Sequence, residues 1–190
     1  MVRKPEVKYH KSEEEITERA ARIKLLVLDV DGVLTDGGLI WRADGQESKV
    51  FHVHDGHGIR LVQRAGIEVA LLTGRSSQVV TLRAKDLGIE LVVQGSRDKL
   101  SDYEEILQQR QFEDQDVAYV GDDLVDIPVL KRVGLAVAVA SATSLVHVCC
   151  HASTQKAGGR GAVREVCDLL LVAQDKWEKI IGPYLGDATQ

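Results

Sequence analysis

An α/β fold is expected here: a Rossmann-like parallel sheet with helices on both faces. Three features of the sequence predict it. Short blocks of Val, Leu and Ile recur, as at Leu25–Leu28, Ile67–Leu72, Val117–Val120 and Leu135–Val139. Continuous apolar runs of this length suit strands buried on both faces. Between the blocks the apolar residues take helical spacing, as at Ile59, Leu61, Val62 and Ala65, so strand and helix alternate. Aromatic residues are only 4% of the 190 residues, so the core must be aliphatic.

The elements follow in order. Residues 1–22 are polar and charged and read as an extension outside the core. Within it, Ser12 and Glu15 have the spacing of a capping box that opens a helix to about Arg22. Residues 24–29 are the first buried strand and end in acid. Leu39–Arg42 and Lys49–His54 alternate around Ala43-Asp44-Gly45-Gln46. The Asp-Gly pair marks a tight turn, so a β-hairpin is inserted at about residues 38–54. Helical spacing begins at Gly58 and ends at Gly66. Strand Ile67–Leu72 and helix Ser76–Leu87 follow, the helix closed by Gly88. Then come strand Glu90–Val93, helix Lys99–Gln111, strand Val117–Val120 and helix Leu124–Val133, which Gly134 closes. Strand Leu135–Val139, a short helix near Thr143–Val148 and an extended piece at Ala152–Thr154 lead to a loop, Ala157–Gly161. Helix Ala162–Ala173 closes the domain, which spans residues 23–175, and residues 176–190 read as a ragged tail.

Composition narrows the function classes. A net charge of −5 argues against a broad nucleic-acid surface and leaves room only for a local basic pocket. No apolar run approaches the roughly 18 residues a membrane span needs, and the first residues lack a secretory signal. The 3 cysteines include no C-x-x-C pair, so reduced thiols in a cytoplasmic protein are expected.

In an open α/β sheet, ligands bind beyond the C-terminal ends of the strands. The residues there form one chemical set. The first strand delivers Asp29, Asp31 and Asp36, and the second Thr73, Gly74 and Arg75. The third leads to Lys99, and the fourth delivers Asp122 and Asp123, with Asp126 one helical turn on. Two carboxylates about 4 Å apart repel by about 4 kcal/mol at an effective dielectric near 20, so clustered acids call for a cation. Hard oxygen ligands beside a phosphate imply Mg²⁺. A carboxylate can attack phosphorus, and a second acid can protonate the leaving oxygen and then activate water. A threonine hydroxyl and a lysine suit the transferring phosphoryl group.

Asp29-Val30-Asp31-Gly32-Val33-Leu34-Thr35-Asp36, followed by Thr73, Lys99 and Gly121-Asp122-Asp123, resembles the four-motif pattern of the haloacid dehalogenase-like phosphohydrolases. The resemblance implies that Asp29 is the nucleophile and Asp31 the general acid and base. It implies Mg²⁺ held by Asp29, Asp122 and the backbone carbonyl of Asp31. Thr73 and Lys99 would bind the phosphoryl group, and Asp123 and Asp126 would be supporting acids. Four further stretches are similar to one branch of that family: residues 54–59, 72–75, 118–126 and 158–166. That branch hydrolyses an eight-carbon sugar acid phosphate, 3-deoxy-D-manno-octulosonate 8-phosphate, in lipopolysaccharide synthesis. The resemblance also implies a capless protein that assembles as a tetramer. Asp55 and Gly56 after the hairpin, Gly74 and Arg75 beside Thr73, and Arg160 in its Gly-rich loop are the expected substrate contacts. A nine-carbon sialic-acid-type sugar phosphate is an alternative substrate. A phosphoacceptor or a scaffold is the alternative from another class.

The hairpin is far too small for a lid, yet phosphoryl chemistry benefits from excluding water. Neighbouring subunits of a homotetramer are therefore expected to cover the site. Nucleic acid and membranes are not expected partners.

Overall fold

The computed structural model describes residues 7–186. Its strands are β1 (Val7–Tyr9), β2 (Leu25–Leu28), β3 (Ile40–Trp41), β4 (Glu47–Ser48), β5 (Glu68–Thr73), β6 (Leu91–Gln94), β7 (Val117–Gly121), β8 (Leu135–Ala138) and β9 (Ala152–Thr154). Its helices are α1 (Glu13–Ala21), α2 (Val53–Arg64), α3 (Gln78–Leu87), α4 (Lys99–Arg110), α5 (Ile127–Leu130), α6 (Ser144–Cys149), α7 (Ala162–Ala173) and α8 (Trp177–Leu185). The main sheet has the order β1-β9-β8-β7-β2-β5-β6, and β3 and β4 form a separate hairpin. Every pairing in the main sheet is parallel except β1 with β9.

Each central strand is apolar throughout because each faces two layers of helices. Leu26 and Leu28 of β2, Val69 and Leu71 of β5 and Ala118 and Val120 of β7 join one core, with residues of α1, α2, α3 and α7. The intervening Leu25, Val27, Ala70, Leu72, Val117 and Tyr119 join a second core, with residues of α4, α5 and α6. The two-residue strand period thus survives inside an unbroken hydrophobic run. Strand β2 lies between β5 and β7. Its C-terminal end is therefore flanked by those of the two strands that lead to Thr73 and Asp122.

Several expectations need correction. Residues 7–22 are not outside the core. Strand β1 extends the sheet along β9, and Ile16 and Ala20 of α1 are fully buried in the first core. The three-residue strand is too short to leave a period in the sequence, and charged neighbours mask the apolar stripe of α1. The Ser12 hydroxyl does accept the Glu15 N–H at 3.1 Å, but the Glu15 carboxylate pairs with Arg19 rather than closing a capping box. Residues 1–6 lie outside the described residues. The second hairpin strand is Glu47–Ser48 rather than Lys49–His54, and α2 begins at Val53, five residues before the expected start.

The two other corrections lie further along. Leu124–Val133 opens with a 3₁₀ turn at Leu124–Asp126 before the short α5, because the Asp126 carboxylate turns back to its own loop. Residues 177–185 of the expected tail form helix α8, with Ile180 in the first core. The hairpin turn is as expected: Gly45 adopts φ +79°, and Arg42 and Gln46 are joined by a 2.9 Å backbone hydrogen bond.

Candidate active site

The first acid loop is held by backbone before any side chain acts. The Asp29 N–H donates to the Val120 carbonyl of β7 at 3.1 Å. The Val30 carbonyl accepts the N–H groups of Val33, Leu34 and Thr35, which turns the chain sharply back over the strand ends. Gly32 sits in that turn at φ +97°, and a Cβ there would fall 2.0 Å from Asp122 Oδ2. Only glycine accepts both the backbone angle and the close approach. The Gly-rich loop seals the same turn from the other side. The Gly159 N–H donates to the Val33 carbonyl at 2.9 Å, and a Cβ on Gly158 would overlap the Gly32 carbonyl at 1.7 Å.

Lys99 is the first residue of α4, whose N-cap Asp98 accepts the Leu100 and Ser101 N–H groups. Its ammonium is buried between Asp29 at 2.8 Å and Asp126 at 2.6 Å, with the Tyr119 hydroxyl at 3.4 Å. Burial alone would lower the Lys99 pKa, but the two carboxylates outweigh it and raise it above the ordinary lysine value. Burial pushes Asp29 up to about 6, with Lys99 opposing and Asp126 adding to the rise. Burial, then the charges of Asp29, Asp126 and Asp123, push Asp122 up to about 7.

Asp126 is fully buried and has no spare acceptor capacity of note. One oxygen takes Lys99 and the Tyr119 hydroxyl, the latter at 2.6 Å. The other takes the N–H groups of Asp122 at 3.0 Å and Asp123 at 3.1 Å. It is therefore the organiser of the Gly121–Asp123 loop. Asp123 is exposed, and its carboxylate caps the turn through the Leu124 N–H at 2.8 Å.

Asp31 belongs to a different set of charges. Its Oδ1 pairs with Lys49 and its Oδ2 lies 3.6 Å from Arg75 Nε. Glu47 closes the ring, with one oxygen 2.9 Å from Arg75 Nη2 and 3.4 Å from Lys49 Nζ. Lys49 and Glu47 are site residues that the sequence reading missed. So is Tyr119, which reads as one more core residue in an apolar strand.

The remaining candidates divide. Thr73 is buried at the C-terminal end of β5, and Gly74 follows it, exposed, with Arg75 joining the Asp31 ring. Arg160 stands at the rim, two-thirds exposed, 3.2 Å from Asp36 of the first acid loop. Asp55 and Gly56, expected at the substrate, are engaged by other parts of the fold. The Asp55 carboxylate is buried and accepts the N–H groups of Gly161 at 3.2 Å and Arg164 at 2.8 Å, at the start of α7. Burial raises its pKa against those two hydrogen bonds. A Cβ on Gly56 would fall 2.2 Å from Arg83 Nη2, so this glycine lets α2 pack tightly on α3.

The donor set fits a hard divalent cation. Asp29, Asp122 and Asp126 bring carboxylate oxygens within 4.8 Å of one another. With Asp126 committed to Lys99, Tyr119 and two N–H groups, Asp29 and Asp122 are the carboxylates left for an ion. Both are pushed up by burial, Asp29 further by the charge of Asp126 and Asp122 further by those of Asp29, Asp126 and Asp123, which a cation would relieve. The Asp31 side chain is engaged by Lys49.

Comparison with known proteins gives the same picture. A family model described as haloacid dehalogenase-like hydrolase matches residues 47–134. The 3-deoxy-D-manno-octulosonate 8-phosphate phosphatase KdsC of Yersinia pestis is 49% identical over 169 residues, covering 89% of this chain and 90% of that protein. KdsC of Escherichia coli strain K12 is 48% identical over 168 residues, covering 88% and 89%. Among solved structures, the Moraxella catarrhalis 3-deoxy-D-manno-octulosonate 8-phosphate phosphatase, in complex with magnesium ion, phosphate ion and a KDO molecule, superposes with a TM-score of 0.89. It is 39% identical and is covered over 99% of its length, against 91% of this chain. With half of its aligned residues shared across nearly full length, and with the acids, threonine and lysine of four strand ends gathered at one edge, the chain belongs to the haloacid dehalogenase-like hydrolases, in the family of 3-deoxy-D-manno-octulosonate 8-phosphate phosphatases.

Proposed function

We propose that the chain is a Mg²⁺-dependent phosphomonoester hydrolase that converts 3-deoxy-D-manno-octulosonate 8-phosphate to the free sugar acid and inorganic phosphate, for lipopolysaccharide synthesis. The observation that carries this reading is Lys99 held between Asp29 and Asp126, with Asp122 in the same cluster. Asp29 and Asp122 would hold Mg²⁺, with the Asp31 carbonyl, and the ion would neutralise charge on the phosphoryl oxygens and keep Asp29 ionised.

In the first step Asp29 Oδ attacks phosphorus and the bond from phosphorus to the sugar oxygen breaks. The departing oxygen takes a proton from the Asp31 carboxyl. In the second step Asp31, now a carboxylate, takes a proton from water as the water oxygen attacks phosphorus. The aspartyl–phosphate bond breaks, and Asp29 returns as a carboxylate with inorganic phosphate released. Lys99 offsets charge on the transferring group, and the Thr73 hydroxyl donates to one of its oxygens. Arg75 and Arg160 would take the substrate carboxylate, and Gly74 would let a ligand approach the backbone.

Among the described residues the insertion beside the site is a hairpin of two-residue strands, too small for a lid, so association of copies is part of the proposal. Leu39, Ile40 and Trp41 of the hairpin are about half exposed or more, Trp41 at 59%. Hairpins packing together in a homotetramer would bury this apolar edge and shield the site. Free Cys149, Cys150 and Cys167 suit a reducing, cytoplasmic setting. Among the described residues no helix is long and apolar enough to cross a membrane.

Phosphate release is to be measured with Mg²⁺ against eight- and nine-carbon sugar acid phosphates and simple sugar phosphates. The eight-carbon substrate is expected to have the highest kcat/KM, and Asp29→Asn to abolish turnover while the protein stays folded. A higher value with the nine-carbon substrate would overturn the substrate, and full activity of Asp29→Asn the nucleophile. Light scattering on the native protein tests the tetramer; a fully active monomer would reject the shared cover.

A further inference from the structure

Lys49 is an anomaly in its surroundings. It directly follows β4 of a largely exposed hairpin, yet its side chain is 1% exposed, and such burial of a lysine requires a partner. Its partners are Asp31 Oδ1 and, at 3.4 Å, Glu47. Glu47 in turn holds Arg75 at 2.9 Å, and Arg75 reaches back to Asp31 Oδ2 at 3.6 Å. Two acids and two bases thus form a closed ring. Three of its corners would survive without Lys49, but Asp31 would lose its one close tether among the described residues, because 3.6 Å is beyond hydrogen-bond distance. Among the described residues, Asp31 Oδ2 itself is buried and has no hydrogen-bond partner.

We propose that Lys49 is a positioning residue for the general acid: by holding Asp31 Oδ1 from the hairpin, it fixes the carboxyl so that Oδ2 is the oxygen that exchanges the proton with the leaving group. Glu47 orients Lys49 and Arg75 together. The hairpin is then part of the catalytic machinery as well as an apolar edge. An unpartnered buried oxygen beside an anchored one is what a proton donor needs: one atom held, the other free for the reacting group. The inference rests on the reading of the chain as a phosphomonoester hydrolase, not on which sugar it takes.

The test separates acid catalysis from phosphate binding by varying the leaving group. Phenyl phosphates with progressively poorer leaving groups, ending in a simple alkyl phosphate, carry no carboxylate and differ in their need for a proton. For each, kcat/KM reports the steps up to departure of the alcohol. Lys49→Met is expected to lower it by about 100-fold for the alkyl ester, a loss that shrinks steadily as the leaving group improves. Lys49→Arg is expected to restore most of it, and Glu47→Gln to show the same trend more weakly. The same loss for every ester in Lys49→Met, or no loss for any, would overturn the positioning role. A wild-type protein that releases no phosphate from any ester would instead overturn the hydrolase reading itself. Activity of Glu47→Gln and of Lys49→Arg keeps the test decisive if Lys49→Met does not fold.

Discussion

Lys99 Nζ lies 2.6 Å from Asp126 Oδ1, and the other oxygen of Asp126 holds the backbone N–H of Asp122. One fully buried carboxylate therefore joins the lysine of one strand end to the metal-directed acid of another. Its worth is indirect, since it fixes where Lys99 and Asp122 stand without itself being free to react.

Asp126→Ala is expected to cost stability as well as activity. It leaves a buried ammonium with one carboxylate instead of two, and strands the Asp122 and Asp123 N–H groups and the Tyr119 hydroxyl. Removing one partner of a buried, hydrogen-bonded charge set costs about 3–5 kcal/mol. Urea unfolding of the wild type and the variant measures it. A loss below about 1 kcal/mol would place Asp126 among ordinary helix caps.

Gly32→Ala is expected to act on the metal site from outside the set of ligands. The new Cβ would fall 2.0 Å from Asp122 Oδ2 at a backbone angle of φ +97°. The carboxylate must move, and displacing a group that orients a ligand typically lowers metal affinity by about 10–100-fold. Isothermal titration of Mg²⁺ into the variant checks this. Unchanged affinity would mean that the loop yields instead of Asp122.

The features that could be read from sequence are those whose cause is local. Leu25–Leu28 and Leu135–Ala138 are apolar because both faces are covered, and a run of that length says so without a tertiary context. Asp29, Asp31, Thr73, Lys99 and Asp122 could be read because strand ends bring them to one edge whatever the details of packing. The start of α2 could not. Gly56 and Gly58 each disfavour a helix by about 1 kcal/mol, so the pattern places the helix start after them. The structure keeps them inside it because α3 and α7 come too close for a Cβ: one on Gly58 would meet Arg164 at 2.9 Å. With the helix start displaced, Lys49–His54 reads as a strand, and nothing in that pattern marks Lys49 as buried. Its burial depends on Asp31, Glu47 and Arg75 meeting from three separate segments, which no window of sequence contains.

Asp55, expected at the substrate, is held at the start of α7, and that place makes a separable prediction. Its carboxylate accepts two N–H groups at the start of α7, from Gly161 and Arg164. Asp55→Ala is expected to destabilise the protein by about 1–2 kcal/mol, as for loss of a helix cap. Denaturant unfolding gives the loss, and steady-state kinetics on the folded variant gives KM. A KM raised severalfold with stability intact would return Asp55 to the substrate.

Magnesium is expected to stabilise the protein more at alkaline than at acidic pH, for a reason visible in two acids. Asp29 is pushed up to about 6 and Asp122 to about 7, against 3.8 for each in a solvated chain. Without an ion, the folded protein therefore keeps protons that the unfolded chain has released. The stability this contributes is fully present below the unfolded value and is lost as pH rises through the two folded values. A divalent cation between Asp29 and Asp122 takes over from those protons, so it competes with them at low pH and meets ionised ligands at high pH. Thermal melts with chelator and with saturating Mg²⁺, at about pH 5 and about pH 8, are expected to show a Tm rise on adding Mg²⁺ that is several times larger at the higher pH. An equal rise at both would mean that the ion is held by groups other than these two carboxylates.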